Sequence, residues 1–164
     1  MNQKKKGLQS LVNKISKLKK RTLAKEGLVH LDEYKNSTFN LETKNVLVVD
    51  EDEETREKIK KVFEKSYISI LTAESVMDFA KIIEKSDVDL MIIDIRLSWV
   101  DGFELCELLR AHGAFKTVPI ILSIDHSYQE DIKKGFDLGA NAYMIKPFEE
   151  KELQKKVEDL LALS

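Results

Sequence analysis

The sequence holds one cysteine, Cys106, among 164 residues. A single thiol excludes an internal disulfide framework and fits a reducing compartment. Cys106 falls inside an apolar segment and reads as a core residue. No apolar run approaches the roughly 20 residues needed to cross a bilayer. A secretion signal is not expected either: Lys14, Lys17 and Lys19 interrupt the apolar positions near the start, and no A-x-A-like cleavage site follows. The acid-poor start has an amphipathic pattern in common with organelle transit peptides, but lysine outnumbers arginine there. There is no internal repeat. Apolar residues make up 43% and charged residues 34%, which suits one soluble domain with an appendage.

Charge is divided unevenly along the chain. Residues 1–44 carry eleven Lys/Arg and four Asp/Glu, whereas residues 45–164 carry 16 and 25. The net charge of −2 is therefore a basic arm on an acidic domain. Within the arm, Leu8, Leu11, Val12, Ile15 and Leu18 recur at helical spacing, and Gly27 is a stop signal. A basic amphipathic helical extension is expected over residues 1–35, followed by a polar linker over 36–44 and a domain over 45–164.

In that domain short β-branched runs alternate with amphipathic stretches. Strands are predicted at "VLVVD" (46–50), "ISILT" (68–72), "LMIID" (90–94), "VPIILSI" (118–124) and "AYMI" (142–145). Helices are predicted over 53–65, 75–85, 102–111, 128–138 and 149–162, with Gly139 ending the fourth. Five βα units with continuously apolar strands indicate a parallel sheet covered on both faces. In such sheets the functional crevice lies outside the carboxyl ends of the strands.

Those ends carry the chemistry. The first strand runs into Asp50-Glu51-Asp52, the third ends at Asp94, and the fifth is followed by Lys146-Pro147-Phe148. Crowded carboxylates raise one another's pKa unless a cation compensates. Mg²⁺, bound through one or two carboxylates and water, is the simple solution. Lys146 adds a charge able to neutralise a phosphoryl oxygen. Acid, metal and lysine together suit an aspartyl-phosphate site with a carboxylate nucleophile. The plainer alternative for Asp50 to Asp52 is an acidic cluster at a helix N-terminus. A flavodoxin-like cofactor enzyme fits poorly, because "DEDEET" has no glycine and a run of acids where a phosphate cradle is needed.

Residues 45–163, about three quarters of the chain, resemble the receiver domain of bacterial two-component response regulators. The matching pieces are "VLVVDEDEETR", "LMIIDIRLSWVDGFELC", "VPIILSI" and "LGANAYMIKPF", in the family's order and spacing. The resemblance implies a flavodoxin-like α/β fold with strand order 2-1-3-4-5. It implies Asp94 as phosphoacceptor, and Asp50, Glu51, Asp94 and the Arg96 backbone carbonyl as Mg²⁺ ligands. Lys146 would contact the phosphoryl group. Tyr143 stands at the aromatic switch position, and Arg96 and His126 at positions that modulate dephosphorylation. A sensor histidine kinase or phosphotransfer protein would supply the phosphoryl group in the cytoplasm. The implied role is signalling, with no catalysis beyond the domain's own phosphorylation and dephosphorylation.

Four positions depart from the family pattern. Glu51 replaces the more usual Asp, and the extra methylene shifts a metal ligand by about 1.5 Å. Ser98 replaces a frequent proline. Ile124 stands where the family has Thr or Ser, and so offers no hydroxyl to link the phosphoryl group to Tyr143. Ser123 is adjacent and could substitute only if the strand end bulged or slipped, since successive strand residues face opposite sides. Asp125 replaces a small residue and either crowds the acceptor or turns to solvent. A pseudo-receiver that ignores phosphate and serves as an interaction scaffold is therefore the rival reading.

No separate output domain is expected after the last predicted helix, and output is expected from the receiver surface or the arm. The arm's leading use is docking to a downstream protein, or to a second copy to give a dimer. Peripheral attachment to an anionic membrane comes next. Nucleic acid is the weakest choice, because the arm lacks aromatics for base stacking and no helix-turn-helix pattern is visible.

Overall fold

A computed structural model describes residues 43–125 and 128–162. The expected N-terminal helix, most of the linker and His126 lie outside the described residues. The elements run β1 (Lys44–Val49), α1 (Glu53–Phe63), β2 (Ile68–Ala73), α2 (Val76–Lys85), β3 (Leu90–Asp94), α3 (Gly102–Arg110), β4 (Ile120–Ile124), α4 (Gln129–Asp137), β5 (Ala142–Ile145) and α5 (Glu150–Ala162). The five strands are parallel in the order β2-β1-β3-β4-β5. This is the expected flavodoxin-like arrangement.

Alternation along the strands divides the core in two. Leu47, Val49, Met91, Ile93, Ile120 and Leu122 face one layer, where Phe79 and Ile83 of α2 and Leu105 and Leu109 of α3 meet them. Val46, Val48, Leu90, Ile92, Ile121 and Met144 face the other, against Ile59 and Phe63 of α1 and Leu153 and Val157 of α5. All five residues of β3 are buried, which is why its sequence is an unbroken apolar run until Asp94. Each such Leu, Ile or Phe contributes roughly 1.5–3 kcal/mol by leaving water.

Helix starts are fixed by side chains. Asp52 accepts from the Thr55 N–H at the head of α1, Ser75 from Asp78 at α2, and Asp101 from Phe103 at α3. A cap of this kind is worth about 1 kcal/mol. Gly139 follows α4 with φ +92°, a conformation that favours glycine. β4 begins two residues later than its apolar run. Pro119 has no N–H to give, although its carbonyl accepts from Met91 N at 2.9 Å.

Candidate functional site

Register places the polar residues of the strand ends in one row. Val49 is level with Ile93, so Asp50 follows beside Asp94. Asp94 is level with Ser123, and Ser123 with Met144, two residues before Lys146. Asp50, Asp94 and Ser123 therefore share the α1/α5 face of the sheet. The Lys146 side chain reaches from the end of β5 across β4 to the first two. Its Nζ donates to Asp50 Oδ2 at 2.8 Å and to Asp94 Oδ2 at 2.7 Å. The remaining carboxylate oxygens are also held: Asp50 Oδ1 accepts from Asp52 N, and Asp94 Oδ1 from Arg96 N, each at 2.9 Å.

This is a partly dry ionic site. Asp50 and Asp94 are only 2% and 8% exposed. Burial raises the Asp50 pKa above its ordinary 3.8, against the opposing pull of Lys146. Burial also works against the charge on Lys146, but its contacts with the two carboxylates outweigh that, and its pKa rises above 10.5. The lysine thus stays charged and neutralises one of two acids.

The loops complete the surround. Asp52 is directed to Thr55 as a helix cap, so the plainer reading of the acidic cluster holds for this residue. Glu51 turns towards the β3–α3 loop, where Ser98 N and Oγ donate to its Oε1 at 2.6 and 2.8 Å. Two departures from the family pattern thus touch each other. Arg96, on the same loop, pairs with Asp125, so Asp125 is tied to a guanidinium. Gly102 donates its N–H to Ile95 O at 3.0 Å, and a Cβ there would lie 2.2 Å from the Asp94 carbonyl oxygen. Only glycine lets α3 start this close to the acceptor strand. Trp99 packs against Phe79 with ring centroids 6.2 Å apart.

Beyond Asp94 the two faces of β4 differ. Ile124, 1% exposed, lines a pocket with Leu122, Ile132, Phe136 and Tyr143. Ser123 faces the opposite side in regular register with no bulge, and its buried hydroxyl has no hydrogen-bond partner. The hydroxyl level with Asp94 is therefore separated from Tyr143 by the sheet itself.

Some positioning residues carried little sequence signal. Arg56, 8% exposed, donates to the Asp50 carbonyl at 2.9 Å and to Glu74 at 2.6 Å, which fixes the end of β1. Lys58 donates to the Phe148 carbonyl at 2.7 Å and lies over its ring, holding the segment after Lys146. Only a basic residue one turn into the first helix hints at either, and its reach is invisible in sequence.

A family model described as the response regulator receiver domain matches residues 46–158. The chain belongs to this receiver family. The transcriptional regulatory protein GltR of Pseudomonas aeruginosa is 31% identical over 118 residues, covering 72% of this chain and 49% of GltR. The transcriptional regulatory protein YvrH of Bacillus subtilis is 32% identical over 118 residues, covering 71% and 48%. The chain spans about half the length of these curated relatives. Among solved structures, a putative response regulator from Chloroflexus aurantiacus superposes with a TM-score of 0.68 at 33% identity, covering 73% of this chain and 98% of that one. The receiver thus belongs to two-component signalling. Among the described residues, no helix is long and apolar enough to cross a membrane.

Proposed function

We propose that this receiver accepts a phosphoryl group on Asp94 from the phosphohistidine of a sensor kinase or phosphotransfer protein, and signals by protein–protein contact. The observation that carries the reading is Lys146 Nζ seated between Asp50 and Asp94 at the strand ends. Such a lysine is placed to follow charge from the carboxylate to a phosphoryl oxygen. A carboxylate oxygen of Asp94 attacks phosphorus, the P–N bond breaks, and the leaving imidazole takes up a proton. Lys146 then neutralises the added negative charge, and Asp50 loses part of its counterion. Arg96 N–H holds the other Asp94 oxygen and orients the carboxyl group.

The donor chemistry fits Mg²⁺. Asp50 and Asp94 offer hard oxygen ligands on neighbouring strand ends, and two carboxylates with water suffice for this ion. Among the described residues no group of three or more acidic, His or Cys side chains is gathered at metal-binding spacing, and Glu51 is engaged by Ser98. Asp50 and Asp94 would hold the cation, joined by Glu51 and the Arg96 carbonyl once Glu51 turns. The bound ion would supply charge neutralisation at the phosphoryl oxygens.

The receiver is on this reading a signalling protein and not an enzyme, located in the cytoplasm. Its basic arm, over residues 1–35, docks a downstream protein. Beryllofluoride with Mg²⁺ should bind the wild type and not Asp94→Asn. Absence of binding by the wild type would leave the phosphate-independent scaffold, which Ile124 beside Tyr143 favours.

A further inference from the structure

We propose that Ser98 and Glu51 form a latch that competes with the divalent cation for the Glu51 carboxylate, and so sets the cation affinity of the site. The inference rests on the phosphoacceptor reading above. It starts from two residues 47 positions apart in sequence whose side chains meet at the site's edge. Both Ser98 donors converge on one oxygen, Oε1, at 2.6 and 2.8 Å.

Each partner needs the other. An aspartate at 51 would be shorter by one C–C bond, about 1.5 Å, and would stop short of the loop. A proline at 98 would offer neither an N–H nor a hydroxyl. The two unusual residues are thus one feature, which ties the β1–α1 loop to the β3–α3 loop. The tie also has a direction. Asp50 and Asp94 share Lys146, whereas the Glu51 carboxylate is engaged by Ser98.

A carboxylate that accepts two charge-assisted hydrogen bonds on one oxygen must release that geometry to turn towards a cation beside Asp50. Free cation affinity is therefore lowered by the work of opening the latch. Both partners are exposed, so water screens the contact and the effect is modest. Threefold to tenfold in affinity, about 0.7–1.4 kcal/mol, is the scale expected for two such bonds at a surface. Once Mg²⁺ is bound, the freed Ser98 loosens the loop carrying Trp99. The site's charge state is then communicated to the α2/α3 face, where Trp99 rests on Phe79.

The sole tryptophan reports the event, since it follows Ser98 directly. Titration of the full chain with MgCl₂, read by Trp99 fluorescence and by calorimetry, should give a lower Kd for Ser98→Ala and a still lower one for Ser98→Pro. Ser98→Ala keeps the N–H donor and is the milder change if proline disturbs the loop. In ¹⁵N spectra the Ser98 amide should move upfield on Mg²⁺ addition. A merely structural Ser98 would alter thermal stability without ordering the three Kd values. Equal Kd values within twofold, with an unmoved Ser98 amide, would overturn the latch while leaving the phosphoacceptor reading in place. No uptake by any of the three would defeat both readings together.

Discussion

Gly102→Ala tests how closely α3 is seated on the acceptor strand. The added methyl would lie 2.2 Å from the Asp94 carbonyl oxygen, 2.5 Å from Ile95 Cα and 2.9 Å from the Asp94 carbonyl carbon. Ordinary contact begins near 3.4 Å, so helix and strand must part by about 1.2 Å. All three obstacles are backbone, and none can swing aside as a side chain would. Overpacking of a core typically costs about 1–3 kcal/mol. With a rigid obstacle the upper end applies, and separation also weakens the Gly102 N–H bond to Ile95 O, worth about 1 kcal/mol. A total near 3–4 kcal/mol corresponds to a fall in Tm of roughly 10–15 °C for a domain of this size. Circular dichroism melts and urea titrations measure it directly. Because the displaced atoms belong to Asp94, beryllofluoride affinity should fall as well. A variant melting within about 2 °C of the wild type would show that α3 is not seated this tightly on the strand.

Three further substitutions probe the charge row and the two faces of β4. Lys146→Met leaves Asp50 and Asp94 without their shared counterion, at about 3 kcal/mol near neutral pH. Asp50, already raised by burial above 3.8, rises further in that variant. Its ionisation then opposes folding above the raised pKa, so the deficit should shrink as pH falls from about 7 towards 4. A deficit that is constant or larger in acid would contradict this. Ser123→Ala deletes a buried hydroxyl that has no partner, so chemical denaturation should show stability unchanged or up to about 1 kcal/mol higher, where a bonded serine would lose that amount. Ile124→Thr should lower stability by about 1–2 kcal/mol. It should also make the Tyr143 resonances respond to beryllofluoride, with no such response in the wild type.

The elements were legible because their periods are clean. β3 is apolar throughout since both faces are covered, and α2 shows its inner face through Phe79 and Ile83. Asp50, Asp94 and Lys146 were legible because strand ends in a parallel sheet converge and their charges have nowhere else to be compensated. What the sequence could not show is where long side chains end. Glu51 reaches Ser98, Arg56 reaches the Asp50 carbonyl, and Arg96 reaches Asp125; each depends on a loop path that periodicity does not encode. The side taken by Ser123 needed the register of three strands together. With β4 unbulged, the serine stays on the face opposite Tyr143.

Phosphorylation of Asp94 can be tested directly. Incubation of the full chain with Mg²⁺ and a small phosphodonor such as acetyl phosphate, followed by borohydride trapping and peptide mass spectrometry, locates any acyl phosphate formed. Modification should be confined to Asp94, abolished in Asp94→Asn and greatly slowed in Lys146→Met. Labelling that survives in Asp94→Asn, or a wild type that takes no phosphoryl group, would contradict Asp94 as the phosphoacceptor.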